Sequence, residues 1–230
     1  MSKPETNVVI KVCGLMNEQD IMLCRKYNVD RMGLVTEFPT PVPWNISREK
    51  AAELRKFIPQ DKTAVVVTGG SPDTIMDIAT LVRPDMVQIH FKGSLDIMKE
   101  LIARLHAEGI GVIGKFPGSE KDMLGIFGST DIKSITELIA LSGADEILID
   151  PRNTDNAAEK KLSADTNLVR TVKNCSKIPV ILAGGITPEN MMDKLSESEA
   201  EYVDIMNGSE NSPGEKSEEK IRTLCQLLGK

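Results

Sequence analysis

The chain has 230 residues, 28 of them Lys or Arg and 34 Asp or Glu, for a formal charge of −6, with two His, five Phe, two Tyr and one Trp. That acidic balance speaks against sequence-independent nucleic-acid binding, which needs a surplus of cations to neutralise phosphates. A content of 40% apolar and 27% charged residues is too hydrophobic for a disordered chain and too charged for one made of membrane spans.

Short β-branched runs alternate with amphipathic stretches along the whole chain. Strands are expected at 8–12, 31–35, 64–68, 86–90, 111–114, 146–149, 179–182 and 202–206. Helices are expected between them, at 18–27, 47–58, 72–83, 94–108, 132–142, 164–174, 188–197 and 216–228. Asn17, Ser47, Ser71 and Thr187 stand where helix N-caps belong, the last two followed by Pro72 and Pro188. The fifth unit is the loosest, and 115–131 has room for a short extra helix around 121–127.

Eight nearly apolar strands, each followed by a helix at about 29 residues per unit, fit a single (β/α)8 TIM barrel of class α/β over residues 1–230. An open doubly wound sheet is the alternative, but no GxGxxG turn follows the first strand. The first apolar run, VVIKV, is too short for a signal or a membrane span. Cys13, Cys24, Cys175 and Cys225 form no CxxC pair and have no His nearby. Neither a disulfide frame nor a metal site is therefore expected, and a reducing cytoplasm is the natural location.

Active sites of such barrels lie at the C-terminal strand ends. There the chain places Lys11, Cys13 and Gly14, then His90, Lys115, Asp150, Gly184-Gly185, and Asp204 with Asn207-Gly208. Small residues between a strand and the following segment let backbone amides approach an anion, so the paired turns at 184–185 and 207–208 point to phosphate binding. Paired glycines also make ordinary tight turns. Cys13 can act as a base if a neighbouring cation favours its thiolate, and Lys11, two residues earlier on the same strand face, can supply that field or hold an anionic group. Standing alone, such a cysteine is more often an inert buried thiol. Asp150 closes an otherwise apolar strand, where burial would let it keep a proton for donation, or it caps a loop. His90 can line the pocket, and Lys115 could form a Schiff base.

Five blocks carry a more specific message: IKVCGLMNEQD at 10–20, MVQIH at 86–90, EILID at 146–150, PVILAGGITPEN at 179–190 and YVDIMNGSENSPGEKSEEKI at 202–221. In order and spacing they resemble the phosphoribosylanthranilate isomerase family of tryptophan biosynthesis. That resemblance implies a cofactor-free Amadori rearrangement of a small phosphorylated sugar amine. It makes Asp150 the general acid and Cys13 the general base and puts Gly184, Gly185, Asn207 and Gly208 on the phosphate-binding loops; Lys11, His90 and Asp204, by their place at neighbouring strand ends, complete the expected substrate-binding set. It implies no nucleic-acid or membrane partner, and a monomer or homodimer.

The pattern departs from the family in three places. Trp44 of FPTPVPWNIS (38–47) stands where the family has an Arg that holds the anthranilate carboxylate, and an indole offers one neutral N–H in place of a charged fork. The glycine-rich loop after strand six is replaced by a charged run from Pro151 in which Arg152 could hold that carboxylate. Met206-Asn207-Gly208-Ser209 replaces the family's S-S-G-V. A phosphosugar-binding barrel without anthranilate recognition or catalysis is the competing expectation, and a Lys115 lyase is a third.

Overall fold

The computed structural model describes residues 7–90, 93–151 and 163–230. Eight parallel strands close on themselves in chain order. They are β1 (Val9–Val12), β2 (Arg31–Val35), β3 (Thr63–Gly69), β4 (Met86–His90), β5 (Gly111–Lys115), β6 (Glu146–Ile149), β7 (Val180–Ala183) and β8 (Tyr202–Ile205). Helices α1 (Glu18–Lys26), α2 (Arg48–Arg55), α3 (Pro72–Val82) and α4 (Leu95–Ala107) fill the first four crossovers. After β5 come two, α5 (Glu120–Phe127) and α6 (Ile132–Leu141), then α7 (Thr166–Cys175), α8 (Met191–Ser198) and α9 (Glu218–Leu227). The (β/α)8 expectation is met, with the extra helix of the fifth unit present. No helix among the described residues is long and apolar enough to cross a membrane.

Strand periodicity sorts the side chains into two sets. One set, including Ile10, Val12, Val66, Val87, Val112, Ile147, Leu182 and Val203, is buried against the helices and forms the main core. The other points into the barrel, where Val65, Ile113, Leu148, Ile181 and Ala183 make a separate apolar plug. Such a plug is the usual filling of this fold. Above and below it the interior is charged.

Local chemistry sets the helix starts. The Asn17, Ser47 and Ser71 side chains accept from the backbone N–H of Asp20, Lys50 and Thr74, as the sequence suggests. The helix expected from 188 instead begins at Met191. Thr187 does not cap it, because Asn190 folds back, accepting from Thr187 N at 2.9 Å and donating to Gly185 O at 2.9 Å. The TPEN segment is therefore a closed turn that fixes the glycines before it. Residues Glu210–Ser212 (β9) and Glu215–Lys216 (β10) form a short antiparallel hairpin before α9 that no sequence signal announced.

Candidate active site

Directly beneath the C-terminal mouth the interior becomes polar. Lys11 of β1 and Asp204 of β8 are register partners on adjacent strands, so both side chains enter the barrel at one level. Lys11 Nζ lies 2.7 Å from Asp204 Oδ2 and 3.0 Å from Gln88 Oε1 of β4, and Gln88 Nε2 stands 3.2 Å from His90 Nε2. Both members of the ion pair are buried, at 2% and 5% side-chain exposure. Burial works against the ammonium, yet Asp204 and then Cys13 outweigh it and hold Lys11 above its ordinary value. Asp204 Oδ1 has no hydrogen-bond partner. It belongs to a pocket lined by Gly184, Gly185, Ile186, Met206, Asn207 and Gly208.

Cys13 follows β1 one step above Lys11, with its thiol inside an apolar ring of Val35, Val67, Phe38, Val42, Trp44 and Met206. Room for the sulfur comes from Gly33 of β2, where any Cβ would lie 2.8 Å from Cys13 Sγ. Burial pushes the thiol up. Lys11 opposes that by its charge and a hydrogen bond, Asp204 adds to it, and Lys216 opposes it more weakly.

A second buried ion pair braces this level from behind. Lys216 Nζ, with no side-chain exposure, is 2.7 Å from Glu210 Oε1 and 2.6 Å from Cys13 O. The same Glu210 oxygen accepts from Trp44 Nε1 at 2.7 Å. Trp44 crosses Gly14, which is in the left-handed region at φ +76° and would bring a Cβ within 2.8 Å of the indole. The loop after β2 is thus tied over Cys13 to the hairpin after β8.

Across the mouth, three strands round from β1, Asp150 ends β6 buried, at 3% exposure. Its successor Pro151 packs on Gly184 so tightly that a Cβ there would fall 2.4 Å from the proline Cδ. Gly184 and Gly185 both have positive φ, +96° and +63°, a backbone open to glycine and costly for other residues. At Gly208 a Cβ would come 1.7 Å from Ile186 O, so the turns after β7 and β8 touch backbone to backbone. Asn207–Ser209 is a single 3-10 turn.

All nine expected site residues, Lys11, Cys13, His90, Asp150, Gly184, Gly185, Asp204, Asn207 and Gly208, stand at the C-terminal mouth or just beneath it. His90 is half-buried, with its ring edge-on to Phe38 at 5.1 Å. Lys115 ends β5, half-buried. The expectation for Arg152 lies outside the described residues. Among the described residues no group of three or more His, Cys, Asp or Glu is placed to hold a metal ion. Sequence reasoning gave no role to Gln88, Gly33, Glu210 or Lys216. The last two fall in the 202–221 block that resembles the family, which marks the segment and says nothing of their pairing.

A family model described as N-(5'-phosphoribosyl)anthranilate (PRA) isomerase matches residues 10–227. Curated N-(5'-phosphoribosyl)anthranilate isomerases from Haloferax volcanii and Natronomonas pharaonis are 30% and 29% identical to the chain, over 94% and 96% of it and 90% and 97% of their own lengths. Among solved structures, phosphoribosyl anthranilate isomerase from Thermotoga maritima superposes with a TM-score of 0.75 at 23% identity, covering 96% of this chain and 98% of that one. A phosphoribosyl anthranilate isomerase in complex with reduced 1-(o-carboxyphenylamino)-1-deoxyribulose 5-phosphate gives 0.73 at 23% identity, over 96% and 98%.

Proposed function

The chain belongs to the N-(5'-phosphoribosyl)anthranilate isomerase family, and we propose that its own Asp150 and Cys13 carry the aldose-to-ketose isomerisation of that family as general acid and general base. The observation that carries this assignment is the placement of a buried carboxyl and a cation-backed thiol on opposite sides of one mouth, with two touching glycine turns beside them.

The chemistry needs that arrangement. Asp150 protonates the ribose ring oxygen as the C1–O bond breaks, and the nitrogen lone pair forms a C1=N iminium. The Cys13 thiolate then removes the C2 proton, the C–H electrons form C1=C2, and the iminium π electrons return to nitrogen. The resulting enolamine takes a proton at C1 and loses one from the C2 hydroxyl, which leaves the ketone. No redox partner or cofactor enters the balance. Each proton transfer contributes about 10²–10⁴-fold when the group is positioned.

Gly184, Gly185, Asn207 and Gly208 would hold the phosphate through backbone amides, and that remote binding energy orients the reacting carbons. Asp204 Oδ1, unpartnered and lining the same pocket, is suited to accept from a sugar hydroxyl, and His90 ends β4 on the far side of the barrel. Lys11 belongs to the set by position, at the floor beneath the thiol. The apolar ring round Cys13 would receive the aryl group, because the aryl nitrogen sits one carbon from the carbon that Cys13 deprotonates. The structural relative bound to a reduced carboxyphenylamino-deoxyribulose phosphate supports a substrate of this class. Both reacting groups come from one chain, so a monomer is chemically complete and a homodimer would add only stability. A catalytic thiol suits a reducing cytoplasm.

The test is fluorescence-monitored consumption of freshly generated phosphoribosylanthranilate. Turnover by the unaltered protein should fall by about 10²-fold or more in each of Cys13→Ser and Asp150→Asn. Activity retained by either variant would overturn that residue's role. No turnover by a folded, unaltered chain would favour the phosphosugar-binding barrel.

A further inference from the structure

An ammonium group has three N–H donors. At Lys11 two are taken within the barrel, by Asp204 Oδ2 at 2.7 Å and by Gln88 Oε1 at 3.0 Å, and the side chain rises from the same face of β1 that carries Cys13 two residues on. The group is buried in the barrel interior, directly below the thiol, at a level where this fold ordinarily carries branched apolar residues. Asp204 and Gln88 pin the ammonium there.

We infer that Lys11 is a positioning residue for the base: it acts through Cys13, orienting the sulfur and favouring its thiolate against burial, while Asp204 keeps the lysine charged. The inference rests on Cys13 being the base and adds the group that makes it one. A thiol sealed among Val35, Val67, Phe38, Val42, Trp44 and Met206 has no water to stabilise its anion. Burial alone therefore favours the neutral, inert form. A fixed ammonium on the same strand face, one side chain below the sulfur, offsets part of that cost.

The charged groups facing the sulfur are Lys11 from β1, Asp204 from β8 and Lys216 from β10, and the residues from β2, β3 and the loop after β2 are apolar. Lys216 is the lesser of the two cations, because its ammonium is given to Glu210 and to the Cys13 carbonyl. The pairing also accounts for Asp204. A lone buried ammonium would shed its proton, and a carboxylate in register on the next strand prevents that.

The experiment is the pH profile of kcat/KM for the unaltered protein, Lys11→Met and Lys11→Met/Asp204→Asn, together with the pH dependence of Cys13 alkylation by iodoacetamide, read on the Cys13 peptide by mass spectrometry. The acid limb, where activity rises as the thiol ionises, should move at least one pH unit to higher pH in Lys11→Met. Activity at pH 7 should then fall about tenfold or more, with KM within about threefold and the alkylation midpoint moving by the same amount. The double variant removes both charges. It keeps the test open if Asp204, left unpaired, prevents Lys11→Met from folding, and its limb should also move up. Unmoved limb and alkylation midpoint in a folded variant, or a raised KM with the profile intact, would overturn the inference and make Lys11 a substrate ligand. Should the unaltered protein show no turnover, the isomerase reading falls, and the alkylation midpoints still decide the role of Lys11.

Discussion

The barrel holds a buried ion pair at each end, and the two are built differently. At the N-terminal end Arg31 of β2 and Glu146 of β6 meet across the interior in a two-pronged pair, with Nη1 2.5 Å from Oε2 and Nη2 2.7 Å from Oε1, and the Tyr202 ring lies 5.0 Å from the guanidinium carbon. Both carboxylate oxygens are used. At the C-terminal end Lys11 binds one oxygen of Asp204 and the other has no partner. A closed pair closes off the barrel floor, while an open pair keeps bonding capacity for something that arrives. The same strands therefore carry stability at one end and chemistry at the other, the division this fold makes generally.

The largest effect should come from breaking the catalytic end where it has no slack. Gly208→Ala puts a methyl group 1.7 Å from Ile186 O, so the two glycine turns proposed to hold the phosphate must part. A displacement of about 1 Å at a substrate-orienting element costs about 10²-fold, and kcat/KM for phosphoribosylanthranilate should fall by at least that much. Near-normal activity would show that the turns do not hold the phosphate.

The matching cut at the other end should cost stability and spare catalysis. Arg31→Met leaves Glu146 buried without its partner, a loss of about 3–5 kcal/mol in urea unfolding. The fraction that remains folded should keep its kcat. Adding Glu146→Leu should return most of the loss, because an apolar pair of similar volume is often neutral or better. A kcat that falls with stability would erase the proposed division between the two ends.

How much of this was readable beforehand follows from the same physics. Strands such as AVVVT and EILI, and the Asn17, Ser47 and Ser71 caps, were legible because burial on both faces and unpaired helix N–H groups leave a local signature. The grouping of Cys13, Asp150 and the glycines at one mouth was legible, since all fall at the C-terminal ends of strands. The hairpin at 210–216 was not. SENSPGEKSEE reads as a solvated loop, and nothing local says that Glu210 and Lys216 are withdrawn from water. A buried charge pair is defined by two residues meeting in space and has no periodicity of its own. For the same reason Thr187 looked like a cap, whereas Asn190, three residues on, closes that turn.

A smaller substitution sharpens the comparison within the catalytic end. Gly33→Ala would place a Cβ 2.8 Å from Cys13 Sγ and 3.0 Å from its Cα, and backbone atoms cannot rotate away. The sulfur must shift away from its place above Lys11 while the glycine turns after β7 and β8 stay put. A drop in kcat of about tenfold with KM little changed is expected, since the loss falls on the transition state. A raised KM with kcat intact would mean that the ring around Cys13 only binds.

The smallest expected effect tests whether the brace behind the thiol is part of the machinery or only its support. Trp44→Phe keeps an aromatic ring over Gly14 and removes the one N–H that ties the loop after β2 to Glu210. A hydrogen bond to a charged group is worth about 1.5–3 kcal/mol, and a half-exposed site should give the lower figure. Glu210 keeps Lys216, and Lys216 keeps the Cys13 carbonyl, so the charges facing the sulfur do not change. The acid limb of the pH profile should therefore stay where it is, with KM rising only a few-fold as the loop loosens over the aryl ring. If instead the limb moved with Trp44→Phe, the ionisation of Cys13 would depend on how tightly its apolar cover is held, and Lys11 would share its role with the loop after β2.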